Sequence, residues 1–384
     1  MIPYGKQTIG DDDVQSVLNV LKKNTYLTTG PKVNEFEEKV SVYVGVNYGV
    51  AVNSGTAALH CAMFAAGISV NDEVIVPAIS FVASANCVLY MGGKPVFCDI
   101  CPETLNIDVT KIESLINEKT KAIVCVDMCG MPCDYDKILE LCRKHKLILI
   151  EDAAHSMGGK YKGQKVGSIA DISCFSFHPV KNITTCEGGM MVTNNETYYK
   201  RGKSFRSHGI SRDFMTREKD NSHYYEMNDL GFNYRIPDVL CALGISQMDK
   251  LNDFIYKRNF IADFYHEYFR NNEFFRCLGN GGLEKKDYYH AYHIFVIVLD
   301  LHKLNKVSKT RDTIFKELKE KGIGVNVHYM PIYLHPYYKS IGYEKGLCPV
   351  SENLYEGLIT LPMFPLLSLL DLQYVCENVV KIIQ

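Results

Sequence analysis

The 384-residue sequence has no excess of either charge: 42 lysines and arginines stand against 44 aspartates and glutamates, a formal net charge of −2. A chain so balanced lacks the basic face by which proteins hold nucleic acid. It also lacks any uninterrupted apolar run near the ~18 residues of a membrane-spanning helix. Its opening, MIPYGKQTIGDDD, has no basic-then-apolar secretory pattern. These absences predict a soluble, cytoplasmic protein with no nucleic-acid or membrane partner. Neither G-x-G-x-x-G nor G-x-x-x-x-G-K-[ST] occurs, so a dinucleotide fold or a P-loop has no support. Cys98 and Cys101 form C-x2-C, and Cys125, Cys129 and Cys133 form C-x3-C-x3-C, but no matching second pair or H-x3–5-H follows. A zinc site needs four ligands, so no metal is expected and the cysteines are read as buried, hydrophobe-like packing groups.

What the sequence does contain is a series of short apolar runs. YGVAV, EVIVP, KPVFCDI, KAIVCVD, KLILIED, ISCFSF and GGMMVTN follow one another, several of them separated by helix-like stretches. TAALHCAMFAA ends at Gly67 as a helix ends, and DYDKILELCRKHK has acid early and base late, as the helix dipole favours. Buried strands alternating with helices predict an α/β fold with a parallel or mixed sheet. Residues 210–230 are polar and read as a surface excursion. Beyond about 250 the pattern changes to helices (251–270 and 309–321) and one strand around HIFVIVLD. The expectation is a large domain over 1–250 and a smaller α+β domain over 251–384, with the N-terminal helix (11–23) packing on either.

Four clusters could carry chemistry. Asn53-Ser54-Gly55-Thr56-Ala57-Ala58 sits where a strand turns into a helix, and free N–H groups there suit a phosphate. A plain N-cap would look the same. Glu151-Asp152-Ala153-Ala154-His155 follows LILI, at the strand end where open α/β sheets bind ligands, although ordinary loops also begin there. Ser176-Phe177-His178-Pro179-Val180-Lys181 puts one lysine in an uncharged stretch after a strand, where desolvation can make its amine a nucleophile; the alternative is a surface lysine. Gly231-Phe232-Asn233-Tyr234-Arg235-Ile236-Pro237-Asp238 is either a capping turn or a polar rim reaching into a site.

In this order and at these separations, NSGTAAL, EDAAHSMGG, FSFHPVKNIT-x-x-EGG and FNYRIPD resemble the DegT/DnrJ/EryC1/StrS sugar aminotransferases, of the fold-type I pyridoxal-phosphate superfamily. The resemblance runs from PYGKQTI to GVNVHYMPIYLHPYY. It implies that Lys181 forms the internal Schiff base with pyridoxal 5'-phosphate and, once released, moves protons. It assigns Asp152 to the pyridine nitrogen and His155 to the vicinity of the phenolic oxygen. Thr56, Ala57 and Ser176 would hold the phosphate, with Phe81 and Ala154 on the two ring faces. Asn233 would reach a partner's phosphate across a homodimer interface, with Arg235 nearby. Tyr4, His328 and Tyr329 would lie on the substrate side. The implied reaction transfers an amino group from L-glutamate to carbon 4 of a UDP- or dTDP-linked keto sugar for glycan synthesis. Amination at carbon 3, sugar dehydration and a non-catalytic regulatory role are the alternatives. Cys186 departs from the family pattern, which has Gly or Ala there in many relatives.

Overall fold

A computed structural model of the chain describes residues 1–23, 25–211, 219–279 and 287–384. All seven apolar runs become strands of one sheet: β1 (Tyr48–Val52), β2 (Glu73–Pro77), β3 (Lys94–Cys98), β4 (Thr120–Val126), β5 (Ile148–Asp152), β8 (Ile172–Ser176) and β9 (Gly189–Thr193). Two two-residue strands, β6 (Lys160–Tyr161) and β7 (Gln164–Lys165), lie between β5 and β8 in the chain. The sheet order is β1-β9-β8-β5-β4-β2-β3. Only β9 runs antiparallel to its neighbours. The carboxyl ends of six strands and the start of β9 therefore share one edge, the edge that binds ligands in open α/β sheets.

The connection β1 to helix α3 (Gly55–Ala66) is set by two local devices. Ser54 is the N-cap, its hydroxyl accepting from the Ala57 N–H, and Gly67 closes the helix at φ 79°. Helix α1 (Asp11–Lys23) packs on the first half of a 32-residue helix, Asp238–Phe269. Ser16 donates to the Ala242 carbonyl, and Lys250 pairs with Asp12 at 2.8 Å. The long helix spans about 48 Å and crosses the boundary expected at 250/251 without a break. Its Met248, Leu251, Phe254 and Ile255 belong to a core with Val33 and Phe36, whereas Ile261, Ala262, Tyr265 and Phe269 belong to a second core. The change of core, not a change of element, separates the two parts.

The second core gathers β10 (Phe275–Cys277), β12 (Phe295–Leu299) and β13 (Leu358–Leu361), an antiparallel sheet, with helices Arg311–Glu320 and Leu369–Ile383. Strand β11 (Tyr288–Tyr289) joins β6 instead. The expected helix at 309–321 is thus present, and the helix expected at 251–270 is the rear of a longer one. Of the polar excursion at 210–230, residues 212–218 lie outside the described residues; Tyr224, Tyr225, Met227, Leu230 and Phe232 beyond them are exposed. Eleven cysteines are buried, and Cys186 is exposed. Cys186 adopts φ 66°, a left-handed conformation that glycine takes without penalty.

Gly189 begins β9 hard against the β1–α3 turn. A Cβ there would lie 2.3 Å from the Ser54 carbonyl oxygen and 2.7 Å from the Gly55 nitrogen. Backbone cannot yield as a side chain does. Gly189→Ala is therefore predicted to lower the unfolding free energy by about 1–3 kcal/mol, read from the shift in the urea midpoint; an unchanged midpoint would show that the turn is slack.

Candidate active site

At the carboxyl edge of the sheet lies a cavity of about 700 Å³. Strand ends supply most of its chemistry: Ser54 and Thr56 after β1, Phe81 after β2, Asp152 to His155 from β5, and Ser176 to Lys181 from β8. The remainder comes from distant sequence. Ile2 bridges Ile323, and the Tyr4 carbonyl accepts from Met363 N–H, so the N-terminal segment lies on the second core and carries Tyr4 in. Ile332 N–H donates to the Ala78 carbonyl at the end of β2, which brings His328 and Tyr329 over the sheet edge. Tyr4 and His328 rings sit 5.5 Å apart.

Burial sets the electrostatics. Desolvation lowers Lys181 from the usual 10.5 to about 8, against the pull of Asp152, so a sizeable fraction of its amine is neutral near physiological pH. Asp152 is raised, mainly by burial, while hydrogen bonds and Lys181 oppose the rise. One of its carboxylate oxygens accepts from Ser84 Oγ at 2.6 Å, the other from Ala154 N–H at 3.2 Å. His155 is held well below the usual imidazole range by burial and then by Lys181. Its Nε2 lies 3.4 Å from the Tyr329 hydroxyl, and its buried Nδ1 has no protein partner. Burial also lowers His328 to about 4, and its Nδ1 lies 2.8 Å from Thr360 Oγ1. Lysine is thus the readily protonated group among neutral imidazoles. Phe81 stays 54% exposed although it lines a cavity, leaving a ring face open.

Glu151, the neighbour of Asp152, points to the opposite side of the sheet. It takes hydrogen bonds from Tyr135 and Ser173, and burial raises it to about 8. The two adjacent carboxylates therefore part by strand alternation, one to the cavity and one to the core.

The structure brings together Tyr4, Thr56, Phe81, Asp152, Ala154, His155, Ser176, Lys181, His328 and Tyr329. Ala57, Asn233 and Arg235 do not line this cavity, and the resemblance places Asn233 at a partner's phosphate, with Arg235 nearby, rather than here. Ala57 is buried beneath the cavity, and its N–H, expected to meet a phosphate, is already donated to Ser54 Oγ at 3.1 Å. Gly55 and Thr56, the first residues of α3, lie before the first helical hydrogen bond and line the cavity. Asn233 is exposed and tied to Asn53 through its own carbonyl. His293 and Ser80 line the cavity without having been singled out in the sequence. His293 opens the strand-like HIFVIVLD, where a lone histidine carries no signal, and its ring centre lies 4.5 Å from that of His155.

Among the described residues no helix is long and apolar enough to cross a membrane, and no cluster of His, Cys, Asp and Glu could hold a metal ion. The chain is 38% identical, over 100% of its length and 98% of the relative's, to the UDP-4-amino-4,6-dideoxy-N-acetyl-beta-L-altrosamine transaminase of Campylobacter jejuni. Its fold matches Helicobacter pylori PseC, an aminotransferase involved in the biosynthesis of pseudoaminic acid, with a TM-score of 0.91 and 33% identity over 100% of this chain and 99% of that one. A sugar aminotransferase of Streptococcus pneumoniae in its pyridoxamine-phosphate form matches with a TM-score of 0.92 and 30% identity, covering 100% and 99%. The same protein in its pyridoxal-phosphate form matches at 0.90. The family model for the DegT/DnrJ/EryC1/StrS aminotransferases matches residues 7–380. With the lysine, the buried carboxylate and the helix N-terminus gathered in one cavity, the chain belongs to the DegT/DnrJ/EryC1/StrS aminotransferase family, enzymes that use pyridoxal phosphate to aminate sugar nucleotides.

Proposed function

We propose that this enzyme moves an amino group from L-glutamate to carbon 4 of a UDP- or dTDP-linked 4-keto sugar. The 4-keto-6-deoxyhexoses are the substrate class, and the products are a 4-amino sugar nucleotide, used for glycan synthesis, and 2-oxoglutarate. The observation that carries the reading is the Lys181 amine and the Asp152 carboxylate acting on each other across one buried cavity. The UDP-linked 4-amino sugar in the name of the C. jejuni relative supports carbon 4 and a UDP carrier.

The residues fit pyridoxal phosphate. The first turn of α3, with Thr56 and Ser176 beside it, offers N–H and hydroxyl donors and a positive dipole end to the phosphate. Phe81 and Ala154 line the cavity and would flank the ring. The unpartnered Nδ1 and the Tyr329-linked Nε2 leave His155 free to meet the phenolic oxygen by hydrogen bonding. When bound, the coenzyme supplies an electron-poor ring that disperses the negative charge formed at the substrate carbon.

The chain does the rest. Asp152, ionised, holds a proton on the ring nitrogen. Lys181 would hold the coenzyme and, when free, would act as the base that takes a proton from the amino donor's α-carbon and as the acid that gives it back. A lysine near pH 8 suits both directions. Tyr4, His328 and Tyr329 form the substrate wall, where neutral imidazoles accept or donate hydrogen bonds without adding charge. In a cavity of about 700 Å³ there is room for a sugar beside the coenzyme.

We infer a homodimer with shared sites from the position of Asn233 and Arg235. Both lie outside their own cavity, next to Met227, Leu230 and Phe232, which are 64%, 79% and 40% exposed. Such an apolar stripe suits burial against a second copy, and from there Asn233 would reach the partner's phosphate.

Three outcomes test this reading. Incubation with L-glutamate and a panel of UDP-, dTDP- and GDP-linked keto sugars, aminated at carbon 3 or 4, is expected to yield a 4-amino product from a UDP or dTDP member. Product at carbon 3 alone, or none, would contradict it. Coenzyme capture by the apoprotein requires the neutral amine, so its rate is expected to climb from pH 6 and reach half its maximum near pH 8; a midpoint near 10.5 would place Lys181 in water. Finally, Lys181→Ala and Asn233→Ala homodimers, each impaired, are expected to regain up to about a quarter of wild-type activity after subunit exchange. Verified exchange without recovery would put Asn233 outside the partner's site.

A further inference from the structure

Asp152 does not hold its orientation alone. Its Oδ2 lies 2.6 Å from Ser84 Oγ, and Ser84 Oγ lies 2.8 Å from Ser80 Oγ and 3.2 Å from the Phe81 carbonyl. Ser80, Ser84 and Asp152 are all buried, at 3%, 0% and 4% exposure, and Ser80 and Asp152 line the cavity.

The proton count fixes the direction of this chain. A serine hydroxyl has one hydrogen, and an ionised carboxylate can only accept. Ser84 must therefore donate to Asp152, and its oxygen, no longer a donor elsewhere, accepts from the Ser80 hydroxyl. The separation of 2.6 Å falls in the range of charge-assisted O–H···O⁻ bonds. The second carboxylate oxygen takes the Ala154 N–H. Two donors from two different elements thus define the carboxylate plane. Ser84 also lies in the first turn of the helix Ala83–Tyr90, three residues after Phe81. One turn of backbone therefore places both the ring-facing aromatic and the donor to the carboxylate.

We propose that Ser84, backed by Ser80, is the positioning residue that fixes the carboxylate plane of Asp152 and keeps it an acceptor toward the coenzyme's ring nitrogen. This rests on the assignment of Asp152 to that nitrogen. Without the Ser84 hydroxyl, the carboxylate loses the donor that opposes the effect of its burial, and it spends more of its time protonated or turned away. The ring then withdraws electrons less, and the nitrogen joining Lys181 to the coenzyme becomes more basic. The other titratable groups acting on Asp152 are Lys181, Cys87, Cys125, Cys174 and Tyr329, with Glu151 on the opposite face of the strand. All are unchanged in serine variants, so a difference from wild type reports the hydroxyl.

The test compares holoenzymes of wild type, Ser84→Ala, Ser84→Thr and Ser80→Ala by pH titration of coenzyme absorbance and by single turnover with L-glutamate. Ser84→Ala is expected to move the absorbance midpoint upward and to slow the turnover about 10- to 100-fold, the worth of one hydrogen bond to a charged group, with glutamate affinity little changed. Ser84→Thr, which keeps the hydroxyl, should restore both readouts, and Ser80→Ala should shift them the same way by less. A wild-type titration and rate in Ser84→Ala, or a Ser84→Thr as impaired as the alanine at equal thermal stability, would overturn the proposal. Should Ser84→Ala not fold, Ser80→Ala decides alone: an upward shift supports the relay, and a wild-type titration contradicts it. Asp152→Asn separates the two levels. If it behaves as wild type, the assignment of Asp152 falls; if it is impaired while Ser84→Ala is not, only the role of Ser84 falls.

Discussion

Burial of an amine and a carboxylate in the same cavity is the constraint around which this molecule is arranged. Neither Lys181 nor Asp152 keeps its ordinary proton affinity, and burial is the first cause for both. An isolated buried charge is very costly, so each group requires specific neighbours. Asp152 has Ser84, the Ala154 N–H and the attraction of Lys181. Lys181 has Asp152 and, around it, imidazoles that stay neutral. Under the proposed function, Asp152 would meet the coenzyme's ring nitrogen and Lys181 would hold the coenzyme.

The fold serves that requirement through one sheet edge. Parallel strands deliver their carboxyl ends to one side, and β9, the single antiparallel member, returns the chain after the lysine loop against the β1–α3 turn. Gly189 makes that approach possible. The far wall is built from both ends of the chain, with Tyr4 laid over the second core and His328 and Tyr329 carried above β2. The long helix Asp238–Phe269 contributes to both cores and so links the two parts of the chain.

Much of this was legible in the residues. All seven apolar runs of the first half belong to the central sheet, because strands buried on both faces leave little choice of composition, and HIFVIVLD supplies β12 of the second sheet. The same topology brings Asp152, Ser176 and Lys181 to the cavity at the sheet edge. Positions that depend on packing between distant segments were not legible from spacing. His293 looks like the first residue of a strand, and Ser84 looks like one small residue in an apolar helix turn; only the close approach of β5 to that turn makes Ser84 a donor. Ala57 was misplaced because sequence cannot say which N–H of a helix start the cap itself consumes. The boundary at 250 fell inside a helix because a change in pattern marked a change of core.

The central claim is that Lys181 carries the coenzyme. Reduction of the purified holoprotein with borohydride, followed by digestion and mass analysis, tests it most directly. The account predicts a single pyridoxyl group, on the peptide containing Lys181. A pyridoxyl group on another lysine, or none in coenzyme-saturated protein, would contradict it.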